Sequence, residues 1–280
     1  MNSLRKQGVS LKWEVPPRKM THQELIFTPE TRLQFLMKSV YDLLPTPANK
    51  NTWFRTEEHK CALCEGNGTL NHVLSGCRVA LQQGRYRWRH DKVLKVLAYW
   101  IEEKRKAENK KRMKKSRWIK FVKAGSKGGT AATENDSYLD SARDWVLQVD
   151  LGRQLKIPIH IADTNLRPDM IMVSEQTKQI AIIELTVPSE DRIGVSAELK
   201  RTKYAVIEEL CRQNRWKPRV WTVEVGCRGF AAGSAAVLLK DFGYRGRQKK
   251  AILKKIEAEA EYASQKIWRW SHFKRWGESR

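Results

Sequence analysis

Residues 167–184 read RPDMIMVSEQTKQIAIIE, two short apolar runs that each carry one carboxylate. The first run, residues 170–173, follows Asp169, and the second, residues 180–187, is rich in β-branched side chains and contains Glu184. Short apolar runs bounded by polar residues are typical of buried strands. Because the polar segment between the runs is short enough for a turn, this stretch predicts a β-hairpin.

The two carboxylates of this hairpin form a candidate metal site. Adjacent strands lie about 4.8 Å apart, so Asp169 and Glu184 are close enough to share one divalent cation. A carboxylate inside an apolar strand is costly unless it is paired or bound to metal, and magnesium prefers such oxygen ligands. The alternative is an edge strand whose Glu184 faces solvent. The residues alone leave both interpretations open.

The spacing of these carboxylates resembles the PD-(D/E)xK nuclease core. Pro168-Asp169 is followed by 14 residues and then by Glu184 within an apolar strand. The longer string, RPD at 167–169 with IIELTVP at 182–188, is similar to the restriction-enzyme-like endonuclease of site-specific non-long-terminal-repeat retrotransposons. One feature departs from the general nuclease pattern, because Thr186 occupies the position of the expected lysine.

The missing lysine has a counterpart on the predicted helix after the hairpin. In the retrotransposon branch, that helix carries the lysine in a Lys-x3-Tyr arrangement, which Lys200 and Tyr204 match here. Residues four apart share one face of a helix. The resemblance therefore assigns the lysine role to Lys200, with Lys203 as the second choice.

The resemblance implies an α/β (α+β) fold of the PD-(D/E)xK class, with a central mixed sheet flanked by helices. It implies an endonuclease that nicks double-stranded DNA, with magnesium or manganese held by Asp169 and Glu184. A nuclear location is expected instead from the basic residues at 102–117, which suit a nuclear localisation signal. Lys200 would stabilise charge on the phosphate, and Tyr204 would orient Lys200 or contact the phosphate. The 3′-hydroxyl at the nick would prime reverse transcription of element RNA, and the reverse transcriptase for that step is an expected partner outside this sequence.

Two other functions are compatible with the same residues. One is a catalytically inactive DNA- or RNA-binding zinc-knuckle protein derived from a retroelement, which loss of Asp169, Glu184 or the lysine would indicate. None of these is lost, but Thr186 and the Gly194-Val195 stretch leave the geometry open. The other is a junction-resolving nuclease of the same fold, which would prefer four-way junctions to linear duplex.

A cluster of soft ligands precedes the nuclease-like region. Cys61, Cys64, His72 and Cys77 are separated by two, seven and four residues. A Cys-x2-Cys turn followed by a His and a Cys is typical of a closed, structural zinc site with four protein ligands. His59 lies beside the cluster as a competing ligand with poorer spacing. The same spacing is similar to the zinc knuckle of the retrotransposon family.

Basic residues alternate with aromatic ones just after this cluster. Residues 85–89 read RYRWR, a pattern that suits phosphate neutralisation combined with base stacking. Nucleic-acid contacts are therefore predicted for Arg85, Arg87, Trp88 and Arg89. Arginines that cover a helix end are the alternative. Farther along the chain, Arg228 is a second candidate, for which a surface ion pair is the alternative.

The charge of the whole sequence points to a polyanionic partner. The 280 residues carry a net charge of +23 with an isoelectric point near 10.0, and nucleic acid is the simplest polyanion to expect. No apolar run approaches the roughly 20 residues of a membrane-spanning helix. We therefore expect no membrane partner, and the polar N-terminal residues predict no signal peptide. Five cysteines, three of them near a histidine, favour metal binding over disulfides.

The patterns outside the hairpin predict further elements. Residues 137–149 are expected to form a helix with a broad apolar face, residues 157–161 a strand, residues 190–212 a helix and residues 220–225 a further strand. Asp144 or Asp150 would add a carboxylate to the site. The resulting division of the chain is a helical linker segment at 1–55, a zinc knuckle with its following helix at 56–101, a basic linker at 102–135, the restriction-endonuclease-like domain at 136–245, and a basic C-terminal helix and tail at 246–280.

Overall fold

The computed structural model describes residue 13 and residues 15–57, 59–111, 137–152 and 154–277. Within these ranges the chain is a mixed α+β protein with eight α-helices and a four-stranded sheet. The helices are α1 His22–Phe27, α2 Glu30–Val40, α3 Pro47–Phe54, α4 Arg78–Gln82, α5 Arg85–Asn109, α6 Ile193–Gln213, α7 Gly233–Asp241 and α8 Gly246–Arg269. The strands are β1 Val146–Val149, β2 Met170–Ser174, β3 Gln179–Thr186 and β4 Lys217–Glu224.

The predicted hairpin is confirmed as β2 and β3. The two strands pair antiparallel, with Met170 opposite Ile183 and Ser174 opposite Gln179. The side chains of β3 alternate between the two faces of the sheet, and the strand is buried over most of its length. Both faces of the sheet are therefore covered by other elements at this strand. The continuous apolar run of this strand follows from that double burial.

A helical crossover joins β3 to the last strand. α6 begins after a short 3-10 turn at Glu190–Arg192 and leads into β4, which pairs parallel to β3. The sheet order is β1-β2-β3-β4, so it is mixed, antiparallel on one side and parallel on the other. The predicted helix at 190–212 and the predicted strand at 220–225 are confirmed within a few residues.

Two hydrophobic clusters sandwich the sheet. One face packs against α6, and its cluster includes Ile182, Tyr204, Ile207 and Cys211. The opposite face packs against α5, α7 and α8, where Leu97 of α5 shares one cluster with strand residues. Because α5 is a continuous helix that runs to Asn109, the predicted domain boundary at residue 101 falls inside it. Residues 112–136, most of the predicted basic linker, lie outside the described part of the chain.

The helix predicted for residues 137–149 is wrong. A capping box between Ser137 and Asp140 supports one 3-10 turn over Tyr138–Ser141, and the chain then becomes extended. Val146–Val149 forms β1, which pairs antiparallel with β2. Trp145 is fully buried. The apolar residues fit a helical face, but pairing with β2 satisfies the backbone of this segment instead.

The strand predicted for residues 157–161 is also wrong. The carbonyl oxygen of Pro158 accepts hydrogen bonds from the amides of Ile161 and Ala162, at 2.8 and 3.1 Å, which fold the segment into a turn. Ile157 and Ile161 are both buried in the cluster under α6. Their alternation therefore reflects burial in an irregular segment without a ladder partner. Among the described residues, no helix is long and apolar enough to cross a membrane.

Candidate functional site: paired carboxylates and a cysteine-histidine cluster

The open ends of β2 and β3 bring the two predicted carboxylates together. The strand register places Asp169 opposite Glu184, and the amide of Asp169 donates to Oε2 of Glu184 at 3.2 Å. In return, the amide of Leu185 donates to Oδ2 of Asp169 at 2.7 Å. The hairpin register, set by the turn and the two apolar faces, therefore positions both carboxylates at one end of the sheet.

Helix α6 supplies a cation and a hydroxyl to Glu184. The Glu184 side chain is only 4% exposed, and Lys200 forms an ion pair with its Oε1. The hydroxyl of Tyr204 donates to Oε2 at 2.6 Å and lies 3.0 Å from the carbonyl oxygen of Arg167. Burial, reinforced by the charge of Glu184, raises the pKa of Tyr204 well above its usual range. The phenol therefore stays protonated and keeps its role as a donor.

The second-choice lysine lies on the outer face of the same helix. Lys203 is exposed, and its ammonium group sits 5.1 Å from the centre of the Tyr204 ring. Lys200, by contrast, is partly buried against Glu184. The geometry thus brings Lys200, and not Lys203, to the carboxylates.

Helix α5 adds a histidine that the sequence patterns did not single out. Nε2 of His90 lies 3.3 Å from Oδ2 of Asp169 and 3.2 Å from the carbonyl oxygen of Leu185, while Nδ1 lies 3.1 Å from Asp91. Burial opposes the charged imidazolium, but the hydrogen bonds to Asp169 and Asp91 outweigh it and raise the pKa of His90 to about 9. The adjacent pair His90-Asp91 beside an apolar helical stripe was the available sequence signal.

The two extra carboxylates considered from the sequence occupy different places. The amide of Asp150 donates to the carbonyl oxygen of Asp169 at 2.8 Å, and the charge of Asp150 contributes to the raised pKa of Tyr204. Asp144 instead accepts from the hydroxyl of Ser174 at 2.6 Å, at the turn of the hairpin. Asp150 is therefore the one beside Asp169, whereas Asp144 stabilises the opposite end of β2.

The donor set at Asp169 and Glu184 suits a hard divalent cation. Both groups offer carboxylate oxygens, and magnesium is commonly held by one or two carboxylates together with water and substrate phosphate. In the described residues, no cluster of three or more His, Cys, Asp or Glu ligands forms there. A cation at this site would therefore complete its coordination with water or phosphate oxygens, and at Oε1 of Glu184 it would compete with Lys200.

The four predicted zinc ligands do converge. The ligand atoms of Cys61, Cys64, His72 and Cys77 all lie within 4.8 Å of one another. The sulfur of Cys64 is 3.0 Å from Nε2 of His72, and the sulfurs of Cys61 and Cys77 are 4.0 Å apart. Tetrahedral zinc bonds would place such atoms about 3.5–3.8 Å apart. The cluster is compatible with a zinc knuckle, and His59 stands outside it.

The protonation of this cluster also suits a metal. Burial lowers the pKa of His72, which favours the neutral imidazole that binds zinc. Burial raises the pKa of Cys77 to about 11. For Cys64, burial acts in the same direction, but hydrogen bonds led by that of the Gly66 amide lower its pKa. Zinc would therefore displace a proton from Cys77 when it binds.

Part of the predicted nucleic-acid surface is buried. Arg85 and Arg89 are almost fully inaccessible, and their guanidinium groups donate to backbone carbonyls of distant segments. Arg228 is buried as well and pairs with Glu190 at 2.6 Å, so neither the surface contact nor the surface ion pair predicted for it is correct. Arg87 and Trp88 are partly exposed. The nucleic-acid contact stays a prediction for those two residues.

Comparison with known proteins adds no assignment to this geometry. No protein-family model matches the chain, and no curated protein matches its sequence.

Proposed function

We propose that this chain is a divalent-metal-dependent endonuclease that nicks double-stranded DNA, built on a PD-(D/E)xK core. The observation that carries the proposal is the meeting of Asp169, Glu184, Lys200 and Tyr204 at one end of the mixed sheet. These residues come from two strands and one helix. A PD-(D/E)xK core requires the carboxylates and the lysine to lie together in one site. The net charge of +23 supports a polyanionic substrate.

In this mechanism each residue has a defined task. Asp169 and Glu184 would hold magnesium or manganese, which supplies Lewis-acid polarisation of the phosphate and a water of lowered pKa. Lys200, held beside Glu184, places a positive charge where the phosphate gains negative charge. Tyr204 keeps Glu184 oriented through its short hydrogen bond. His90 fixes Asp169 from the opposite side of the sheet.

The retrotransposon role and the nuclear location are part of the same proposal. Nicking at a target site would leave a 3′-hydroxyl, and a reverse transcriptase would use it to copy element RNA. The support is the string of residues at 167–169 and 182–188 together with the cysteine-histidine cluster, in the order found in that family.

A plasmid nicking assay with magnesium or manganese tests the proposal. We expect the wild-type chain to convert supercoiled DNA to open circles, and Asp169→Asn and Lys200→Ala to lose about 100-fold or more in rate while still binding DNA. Lys203→Ala is the matched control, because it removes a lysine from the same helix without touching the carboxylates. We expect it to nick like the wild type.

Other outcomes identify the competing functions. If every protein binds DNA in a salt-dependent manner and none nicks it, the chain is a binding protein with inactive carboxylates. If cleavage strongly favours four-way junctions over linear duplex, the chain is a junction-resolving nuclease. If Lys203→Ala fails and Lys200→Ala does not, the lysine assignment is wrong.

A further inference from the structure

A cluster of aromatic rings lies where the end of the described chain folds back onto the start of α5. The turn after α8 brings four rings to Trp88, and we call the resulting group the ring cluster. Its members are Trp88, Trp270, His272, Phe273 and Trp276. Consecutive ring centres are separated by 5.5 Å from Trp88 to Trp276, 6.2 Å from Trp276 to Trp270, 5.1 Å from Trp270 to Phe273 and 4.2 Å from Phe273 to His272.

Hydrogen bonds from Arg85 and Gln83 hold this turn in place. The guanidinium group of Arg85 donates to the carbonyl oxygens of Trp270 and Phe273, at 2.6 and 2.7 Å. The amide of the Gln83 side chain donates to the carbonyl oxygen of Lys274 at 2.6 Å. Arg85 therefore acts as an internal clamp, which explains why it is buried. These hydrogen bonds preorganise the turn that carries the rings. A preorganised surface loses less conformational entropy on binding.

Two rings of the cluster, those of Phe273 and His272, are exposed, so packing in the core does not explain their position. Trp276 contacts the hydrophobic cluster beneath the knuckle, so it contributes to the fold. Phe273 is 48% exposed and belongs to none of the hydrophobic clusters of the described residues. His272 is exposed too, and its ring lies only 36° from parallel with that of Phe273. Two aromatic rings that are tilted relative to each other are thus exposed to solvent.

Cations surround these rings. The ammonium group of Lys92 lies 5.6 Å from the centre of the Trp88 ring, and the guanidinium group of Arg85 lies 5.1 Å from that of Trp276. Lys274 and Arg275 are exposed on the same turn. Aromatic faces combined with positive charge are complementary to a strand that offers both bases and phosphates.

We infer that the ring cluster binds single-stranded nucleic acid by base stacking. In a duplex, neighbouring base pairs cover the faces of each base, so an exposed phenylalanine ring finds no face to stack on. An unpaired strand offers those faces, and its phosphates lie within reach of Lys274 and Arg275. This binding activity is separate from nicking, because it uses residues of α5 and the C-terminal turn instead of the carboxylates.

Fluorescence anisotropy with labelled oligonucleotides tests the inference. The probes are an oligothymidylate of about 16 nucleotides, an abasic oligomer of the same length, and a duplex of that length. Measurements use the zinc-loaded full chain without added magnesium, manganese or chelator, so that neither nicking nor loss of zinc affects the result. The variants are Phe273→Ala and Phe273→Leu, and Phe54→Ala is the matched control because its ring is 71% exposed on α3.

We expect both Phe273 variants to weaken binding of the oligothymidylate by about fivefold or more, since stacking on one base contributes that much. Phe273→Leu keeps an apolar side chain but removes the flat ring. A loss of affinity in this variant therefore reports base stacking and not apolar packing. Affinity for the abasic oligomer and for the duplex should not change, and Phe54→Ala should match the wild type on all probes. Equal losses on the abasic oligomer, or no loss on oligothymidylate, would overturn the inference.

The charges of the turn supply a second readout. The double variant Lys274→Gln with Arg275→Gln should weaken binding of both single-stranded oligomers. It should also reduce the slope of log affinity against log salt by up to about 1.4, which is about 0.7 for each phosphate contact on a single strand. An unchanged slope would show that the strand does not cross this turn, and would also overturn the inference.

Discussion

The side chains of the candidate site differ in how far their partners lie along the chain. Glu184, Lys200 and Tyr204 lie within 20 residues of one another, and Asp169 precedes Glu184 by 15. The hairpin pattern therefore placed Asp169 beside Glu184, and the resemblance to the retrotransposon endonuclease assigned Lys200 and Tyr204 to the same site. His90 reaches Asp169 across 79 residues, and Arg85 reaches the carbonyl of Phe273 across 188. Local periodicity carries no information on such pairs, so the roles of His90 and Arg85 emerged only with the fold.

Tyr204 allows a prediction at the scale of one hydroxyl group. In Tyr204→Phe, Oε2 of Glu184 loses its shortest hydrogen bond and keeps only the amide of Asp169. Because Glu184 is buried, we expect a loss of about 1–3 kcal/mol in the free energy of unfolding. Denaturant titration measures this loss. Tyr41→Phe, on an exposed ring of the first residue after α2, is the control and should leave stability unchanged.

The same variant separates two roles for the hydroxyl. If it only supports the fold, nicking measured well below the unfolding transition should equal that of the wild type. If it orients Glu184 during the reaction, we expect the nicking rate to fall by about tenfold or more. A Tyr204→Phe protein with unchanged stability would contradict the hydrogen-bond argument itself.

At the scale of elements, the sequence predicted the strands and helices that local patterns specify. It did not predict those that form only by pairing with a distant segment. β2 and β3 were predictable because the turn, the apolar runs and the burial on both faces agree. β1 was not, because Val146–Val149 becomes a strand only by pairing with β2, more than twenty residues later. In α5, the apolar stripe formed by Val93, Leu94, Leu97 and Ile101 is visible in the sequence, but the element against which it packs is not. That stripe shares a hydrophobic cluster with strand residues, so the predicted boundary at residue 101 divides a continuous helix that belongs to the same core as the sheet.

One buried arginine of α5 donates hydrogen bonds to three other segments. Arg89 donates to the carbonyl oxygen of Leu74 at 2.8 Å, to the carbonyl oxygen of Val187 at 3.0 Å and to the hydroxyl of Ser264 at 3.1 Å. We expect Arg89→Met to lower the free energy of unfolding by about 2–4 kcal/mol, since it leaves these buried acceptors without a donor. Equilibrium denaturation with urea measures the change.

A neighbouring arginine provides the control for this element. Arg87 is one-third exposed and pairs with Asp91 at 3.4 Å within the same helix. Exposed pairs of this kind contribute little, so Arg87→Met should change stability by less than about 1 kcal/mol. If Arg89→Met were as stable as the wild type, the cost of burying the guanidinium group would equal what its hydrogen bonds contribute.

At the scale of the whole molecule, the cysteine-histidine cluster and the sheet form one connected structure. The side-chain oxygen of Asn71, which precedes His72, accepts from Arg228 at 2.8 Å, and Arg228 pairs with Glu190 just before α6. Arg89 links Leu74 to Val187 at the end of β3. The spacing of the four ligands predicted the cluster itself, because a zinc site needs only local turns. Its attachment to the sheet involves one buried ion pair and several hydrogen bonds between distant segments, which the sequence does not reveal.

Because of this connection, we expect zinc binding to the cluster to affect the carboxylate site. We expect the wild-type chain to hold one zinc ion, and Cys64→Ser and Cys77→Ser to lose it, because each removes one of four ligands. Loss of zinc should unfold the segment around Leu74 and release Arg89 and Arg228, so nicking should fall even with magnesium in excess. Cys211→Ser is the control for zinc content, since this buried thiol lies within α6 and outside the cluster. Elemental analysis measures the zinc content, and amide exchange of α6 measures the effect of zinc loss on the helix that carries Lys200. If Cys77→Ser lost zinc while exchange in α6 and nicking stayed at wild-type levels, the knuckle would be an independent module, and the buried pairs around Arg228 would not transmit its state to Lys200.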